Sequence, residues 1–476
     1  MNPRGYGLSI VVVGASGDLA HRKIFPALFA LYCQNLLPPA FNIVGFARTS
    51  FSNDQFRSHV AENLTCRYTP DHSCADRVKE FLSHCYFTAG SYVSPESFVE
   101  LYADMSQVED NAATNRIFYL AIPPSVVLDT VGAIAGAGLV NCGKEDPWSR
   151  VVIEKPFGSD RESSDLLSRE LAQVFSENQT YRIDHYLGKE VIQNLMVLRF
   201  ANTVFEPVWN RRFIESVRIE WKEDIGVGSR AGYFDSFGII RDVVQNHLLQ
   251  ILALVAMERP VDTHANSVRD EKVRVLKNIR PLAMADVRVG QYCAGGGSIQ
   301  HKAYSEEESV PRDSRTPTYA ACRLEVDNER WRGVPFLVTA GKGLDGTLSE
   351  VRIRFRTDPA NIFCGSRSCP PGNEFVIRIQ PDEAIYLKIM NKEPGLALNV
   401  VQSHLNLKYQ TAFSTMISDA YECLLLDVIK GDKSLFIRED ELAAAWDIFT
   451  PVLREMEIRK VRPELYEFGT KGPSVG

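Results

Sequence analysis

The sequence predicts an α/β domain followed by an α+β domain, and three observations carry that prediction. Near its start a continuous β-branched run, Leu8-Ser9-Ile10-Val11-Val12-Val13, ends in Gly14-Ala15-Ser16-Gly17-Asp18-Leu19 and passes into residues with helical spacing. Strand, glycine turn and helix in that order build a Rossmann-like dinucleotide cradle. In the second half the period changes: Val217, Ile219 and Trp221 alternate with Arg218 and Glu220, and the pattern recurs at 351–355, 375–379 and 384–388. Such alternation marks the strands of a large, mainly antiparallel sheet with a solvated face. Finally, 476 residues exceed the ~250–300 at which one hydrophobic core stops growing, so two domains are expected, 1–183 and 184–476.

Composition narrows the class. With 45% apolar and 24% charged residues this is ordinary globular material. A formal net charge of −7 argues against a nucleic-acid or anionic-membrane partner, both of which need a basic face. No apolar run is expected to reach the ~18 residues of a membrane span, and no signal-peptide pattern opens the chain. Of ten cysteines the closest pairs, Cys66/Cys74 and Cys364/Cys369, fit neither C-x-x-C redox spacing nor paired zinc ligands. Free thiols in a reducing, cytoplasmic setting are expected, and a start two residues before Pro3 leaves a removed leader open.

Taken in order, the glycine turn matches G-x-G-x-x-G only in part, because Ser16 and Leu19 stand at the third and sixth positions. Alone, such a turn is as often merely a tight turn. The helix after it extends to Leu36, and a strand Asn42–Ala47 ends in Arg48-Thr49-Ser50. An acid there would bind the ribose 2′-hydroxyl of NAD, whereas Arg beside hydroxyls suits the 2′-phosphate of NADP. Residues 51–114 show helical patterns too irregular to place motifs on. Ile117–Ile122 reads as a buried strand stopped by Pro123-Pro124, followed by a helix to about Gly138 and a loop with Gly143 and Pro147.

Val151-Val152-Ile153-Glu154-Lys155-Pro156-Phe157-Gly158 then places an ionic pair at a strand's C-terminal end, where open α/β sheets bind ligands. Pro156 holds Lys155 out of the α region, and a cis bond there would aim its side chain more tightly. Tyr181 to Glu190 packs two acids, a His, two Tyr and two cations between a strand-like and a helix-like segment, a mixture core packing does not ask for. A helix follows to about Phe200. From about Phe234 to Met257 a helix is apolar nearly all round, so Asp242, Asn246 and His247 inside it need partners. A lone His there is more often a satisfied core residue, but Asp242 and Asn246 one turn apart make a buried polar cluster. Gly295-Gly296-Gly297 leads into a polar loop, 301–318.

Four segments together, Gly14–Ala20, Glu154–Gly158, Arg182–Lys189 and Ile240–His247, resemble the hallmark segments of the glucose-6-phosphate dehydrogenase family, in family order and over nearly the whole chain. The resemblance implies oxidation of C1 of glucose 6-phosphate with NADP as hydride acceptor. It implies His247 as general base, Asp184 as the carboxylate that steadies it, and Lys155 bridging substrate and nicotinamide. His185, Tyr186 and Lys189 would hold the phosphate, Glu223 and Asp242 the sugar hydroxyls, with Lys342 and Gln380 as further substrate contacts. Gly14, Ala15, Ser16, Gly17, Asp18, Leu19, Lys23 and Arg48 would serve the cofactor. A homodimer or homotetramer joined through the second sheet is implied as well.

Two departures qualify the match. After Lys342 the family carries a further basic pair, whereas Gly343–Leu348 supplies none, and the chain stops at Gly472–Gly476, short of the aromatic and basic tail of many relatives. Arg378, Tyr386 and Lys388 match half of a second, non-catalytic NADP site found in such relatives, so a single functional NADP per subunit is expected. Rival readings are an NADP dehydrogenase of another sugar or polyol, and a catalytically silent NADP sensor.

Overall fold

In the computed structural model, residues 6–68, 73–140, 146–295, 301–358, 360–364, 369–413 and 416–473 are described. Gly143, Gly296, Gly297 and the last three residues of the chain, noted above, lie outside them. The first sheet contains β1 (Gly7–Val13), β2 (Phe41–Ala47), β3 (Cys85–Ala89), β4 (Thr114–Leu120), β5 (Ser149–Glu154) and β6 (Thr180–Ile183). These six strands run parallel in the order β6-β5-β4-β1-β2-β3. The β-branched run of β1 is wholly buried from Leu8 to Val13, as a strand covered by helices on both faces requires. Strand order reverses beside β1, which has β2 on one side and β4 on the other. Such a switch point opens a crevice at the strands' C-terminal ends.

The second sheet contains β7 (Ile214–Lys222), β8 (Val287–Cys293), β9 (Tyr319–Glu325), β10 (Pro335–Gly341), β11 (Leu348–Phe355), β12 (Glu374–Gln380), β13 (Ala384–Lys392) and β14 (Val400–Lys408). Its order is β14-β13-β12-β11-β7-β10-β9-β8-β16, where β16 is Glu464–Glu467. Pairing is antiparallel except between β10 and β7 and between β16 and β8. The two-residue strand β15, Phe436–Ile437, crosses to the first sheet and pairs antiparallel with β6. The preceding helix, Ala420–Lys430, packs on the first-domain helix Phe25–Cys33.

Several expectations are corrected. Residues 51–114 hold regular elements, helices Asn53–Ala61, Cys74–Ser83 and Pro95–Val108 and the strand β3; β3 is only five residues long, too short to carry a clear period. The helix Gly228–Ala256 is long and apolar enough to span a membrane, against the expectation that no run reaches that length, yet 94% of its most apolar window is buried inside the fold. It is also not one α-helix: Gly238 adopts φ 69° and Ile240–Leu248 winds as a π-helix. The two closest cysteine pairs, Cys66–Cys74 and Cys364–Cys369, are disulfide-bonded with Cα separations of 5.9 and 4.1 Å. Redox and zinc spacing rules do not address such local loop closures. Among the described residues Cys33, Cys85, Cys293, Cys322 and Cys423 form no disulfide.

Candidate active site

The site forms where the C-terminal ends of β5 and β6 meet the π-helical stretch of the second domain. Lys155 follows β5, and the bond to Pro156 is cis. Its Nζ donates to the carbonyl oxygen of Asp242 at 2.7 Å and to Asp242 Oδ1 at 2.8 Å. Asp184 follows β6 and is 1% exposed; its Oδ1 accepts from the Tyr186 amide at 3.0 Å and lies 2.5 Å from His247 Nδ1. The π-helical winding puts Asp242, Asn246 and His247 in one short stretch, all buried. π-helical winding is rare and occurs frequently at functional sites.

Electrostatics fix the protonation states. Burial opposes ionisation of Asp184, but the imidazoles of His247 and His185 and the Tyr186 amide outweigh it and hold its carboxyl at about 2. Asp242 is likewise pulled from its burial-raised position down to about 2, by Lys155 first. Burial, partly offset by Asp184, holds His247 below the usual histidine range, and burial keeps His185 well below it. At neutral pH His247 is therefore neutral beside an ionised carboxylate. That carboxylate can only accept, so the ring proton sits on Nδ1 and Nε2 keeps its lone pair.

Around this pair the cleft encloses 570 Å³, and it brings together most of the residues singled out from the sequence. His185 lies edge-on to His247 with centroids 4.7 Å apart, and Tyr186 stacks on the same ring at 4.6 Å. Tyr186 Oη accepts from Trp221 Nε1 at 2.7 Å and donates to Gln380 Oε1 at 3.4 Å. Lys189 Nζ stands 4.8 Å over the Tyr186 ring. Lys342 pairs with Glu223 at 2.6 Å and Lys222 with Asp345 at 2.8 Å. Lys23, in the helical turn Ala20–Ile24, also lines this cleft, bonded to Asp419 at 3.0 Å.

The glycine turn lies apart from these groups, at the end of β1. Gly14 has φ 93°, and a Cβ there would meet the Ala121 carbonyl oxygen at 2.2 Å, so only glycine makes the turn. Ala15 is buried, Leu19 begins the helical turn Ala20–Ile24, and Asp18 pairs with Arg22 at 2.6 Å. A helix start aimed at a strand end offers free N–H groups to a pyrophosphate. Arg48 stands exposed at the end of β2, 5.3 Å from the Tyr92 ring, and Thr49 Oγ1 bonds Ser16 Oγ at 3.2 Å. One cation and two hydroxyls thus meet beside the turn, a donor set that fits a 2′-phosphate.

Sequence reasoning missed the contribution of the helix Ala420–Lys430. Tyr421 and Asp419 line the cleft, and Tyr421, with Tyr119, bonds the buried carboxyl of Glu154. Burial raises Glu154 to about 7 despite those bonds and Lys155. Nothing in the local sequence marks Asp419 or Tyr421 beyond a helix cap; only the tertiary return of the chain brings them here.

Comparison with known proteins follows the same lines. Residues 11–194 match the family described as glucose-6-phosphate dehydrogenase, NAD binding domain, and residues 196–475 match its C-terminal domain. The chain is 50% identical over 470 residues to a chloroplastic glucose-6-phosphate 1-dehydrogenase of Nicotiana tabacum, covering 98% of this chain and 79% of that one. It is 47% identical to the glucose-6-phosphate 1-dehydrogenase of Dictyostelium discoideum, covering 98% and 92%. A solved glucose-6-phosphate dehydrogenase in complex with its substrate glucose-6-phosphate superposes with a TM-score of 0.91 at 42% identity, covering 98% and 96%. With both domains matched and the fold shared over nearly its full length, the chain belongs to the glucose-6-phosphate dehydrogenase family.

Proposed function

We infer that the protein is an enzyme that oxidises C1 of glucose 6-phosphate to 6-phosphogluconolactone with hydride transfer to NADP, the first step of the oxidative pentose phosphate pathway. The observation that carries this reading is the neutral His247, held by the ionised Asp184 at 2.5 Å, in a cleft whose walls carry Lys155, Lys189 and Lys342. Removing a hydride from an alcohol carbon leaves a carbonyl, so the hydroxyl proton must go to a base in the same event. His247 Nε2 takes that proton, and the imidazolium so formed is stabilised by Asp184. NADP, when bound by the Gly14–Leu19 turn with Arg48, supplies the hydride acceptor.

His185, Tyr186 and Lys189 hold the sugar phosphate, a remote group whose binding energy positions C1. Glu223 and Asp242 accept from sugar hydroxyls, and Gln380 and Lys342 complete the substrate wall. Lys155, tethered to Asp242, stands at the junction of the two ligands. Measured rates with glucose 6-phosphate and with glucose test the phosphate assignment. Lys189→Ala should lose a charge-assisted contact of roughly 1.5–3 kcal/mol, a ~10–100-fold fall in kcat/KM for the phosphorylated sugar alone. An equal loss on both sugars would refute it and favour a dehydrogenase of free sugars or polyols.

A homodimer or homotetramer through the second sheet is supported by β14, an edge strand whose Val401, Leu405 and Leu407 are exposed, an edge that a partner copy would cover. Light scattering that returned a monomer would refute this. The division into 1–183 and 184–476 is supported by the change from parallel to antiparallel pairing after β6. Cytoplasmic residence is supported by five described cysteines that form no disulfide, against two local bridges, and a tagged chain found inside an organelle would overturn it. The net charge of −7 supports neither a nucleic-acid nor a membrane partner.

A further inference from the structure

Beside the glycine turn, outside the cleft, three nitrogen and oxygen donors converge that the reaction does not use. His21 lies in the π-helical turn Ala20–Ile24, His59 in the helix Asn53–Ala61 and Glu62 at that helix's end. Their donor atoms all lie within 4.8 Å of one another. The two imidazoles stack with centroids 4.0 Å apart, and His21 Nε2 stands 3.2 Å from Glu62 Oε2. Asn63 Nδ2 reaches the same nitrogen at 2.7 Å. Spacing explains the convergence: residues 59, 62 and 63 are i, i+3 and i+4, so they share one helix face, and His21 faces them from the neighbouring element.

The decisive atom is His59 Nε2, which is buried and has no hydrogen-bond partner. A buried polar nitrogen without a partner costs stability unless something meets it. Two imidazoles and a carboxylate are the donor set of a borderline divalent cation.

We propose that His21, His59 and Glu62 bind one divalent transition-metal ion, zinc by ligand type, with a fourth position open. Tetrahedral ligands at about 2.0–2.1 Å from zinc stand roughly 3.4 Å apart, so the donors close by about an ångström. Glu62, 64% exposed, is free to swing, and the two rings turn out of their stack. The ion ties the helical turn that follows the cofactor loop to the helix Asn53–Ala61. Metal and NADP affinities are therefore coupled, each changing the other by the same factor.

The test uses the full chain, stripped with a chelator and dialysed, in a His247→Asn background, because Asp184, His185 and His247 form a second group of close donors. Titration with zinc chloride in a calorimeter should show one ion per chain. His21→Gln and His59→Gln should each weaken it by more than about 100-fold, beyond the ~10–100-fold typical of residues that only orient a ligand. Glu62→Gln, at an exposed position that tolerates change, should weaken it about tenfold, and the zinc-dependent rise in melting temperature should shrink in step. Each variant must bind NADP in the absence of zinc like its parent, which separates lost ligation from lost folding. Equal zinc binding in parent and variants, or none above a non-specific background, would overturn the proposal. So would a thiolate charge-transfer band with cobalt in place of zinc, which would assign the ion to cysteine.

Discussion

Replacing Asp184 with Asn tests the base assignment most directly. The carboxylate accepts from His247 Nδ1 at 2.5 Å and from the Tyr186 amide at 3.0 Å, and both side chains are nearly sealed from water. The amide keeps the size of the group but loses its charge. When His247 carries the extra proton, the lost attraction is about 4 kcal/mol for charges ~4 Å apart at an effective dielectric of ~20. At about 1.36 kcal/mol per tenfold, kcat should fall roughly 10³-fold. A flipped amide would also donate to Nδ1 and move the ring proton to Nε2, the nitrogen that must be empty. KM for glucose 6-phosphate should change little, because Asn keeps the size of the group and an oxygen that can still accept from the Tyr186 amide.

The pH profile supplies a second readout. The rate requires neutral His247, so kcat/KM falls on the acid side as the ring protonates, below the usual ~6.5 because burial depresses it. Asp184 is the neighbour that raises that value, so its removal should move the acid limb to still lower pH. Stopped-flow absorbance of the reduced nicotinamide measures both. A variant with near-wild-type kcat, a loss confined to KM, or an acid limb shifted upward would refute the reasoning.

Three further outcomes follow. Arg48→Ala should weaken NADP but spare NAD, shifting their ratio by roughly 1.5–3 kcal/mol; an unchanged preference in paired kinetics would move selectivity to Ser16 and Thr49. Calorimetry should find one NADP per chain, because the cations of the would-be second site are already paired, Lys388 with Glu374 at 2.8 Å and Arg378 with Glu350 at 3.8 Å; a second tight, stabilising NADP would contradict this. Glu154, raised by burial to about 7 from 4.5, binds its proton more tightly folded than unfolded, so its stability contribution is full below about 4.5 and is lost as pH rises to about 7. It is worth about 3 kcal/mol at most, and Glu154→Gln should flatten that part of the denaturation profile.

The parts of the fold legible in the sequence are those where one local rule decides. β1 was readable because burial on both faces demands an unbroken apolar run, and β7 because a solvated face demands alternation. Arg182–Lys189 stood out because its mixture of charges has no packing purpose. Illegible features depend on partners distant in the chain or on small backbone choices. The π-helical winding of Ile240–Leu248 leaves the apolar composition of the stretch unchanged, so a buried α-helix was the natural reading. Tyr421 reaches Glu154 only because 420–437 folds back on the first domain. The Cys66–Cys74 bridge reflects a loop closure that residue spacing does not encode.

That return of the chain also sets an order of events during synthesis. β6, which carries Asp184 at its end, has its outer edge covered by Phe436–Ile437, residues made some 250 positions later (sequence separation 255 between Arg182 and Ile437). A nascent first domain therefore leaves the ribosome with an open strand edge and with the face of Phe25–Cys33 that receives Ala420–Lys430 uncovered. Open edges invite pairing with other chains, so Asp184 waits on a ledge that only residues far later in the chain can close.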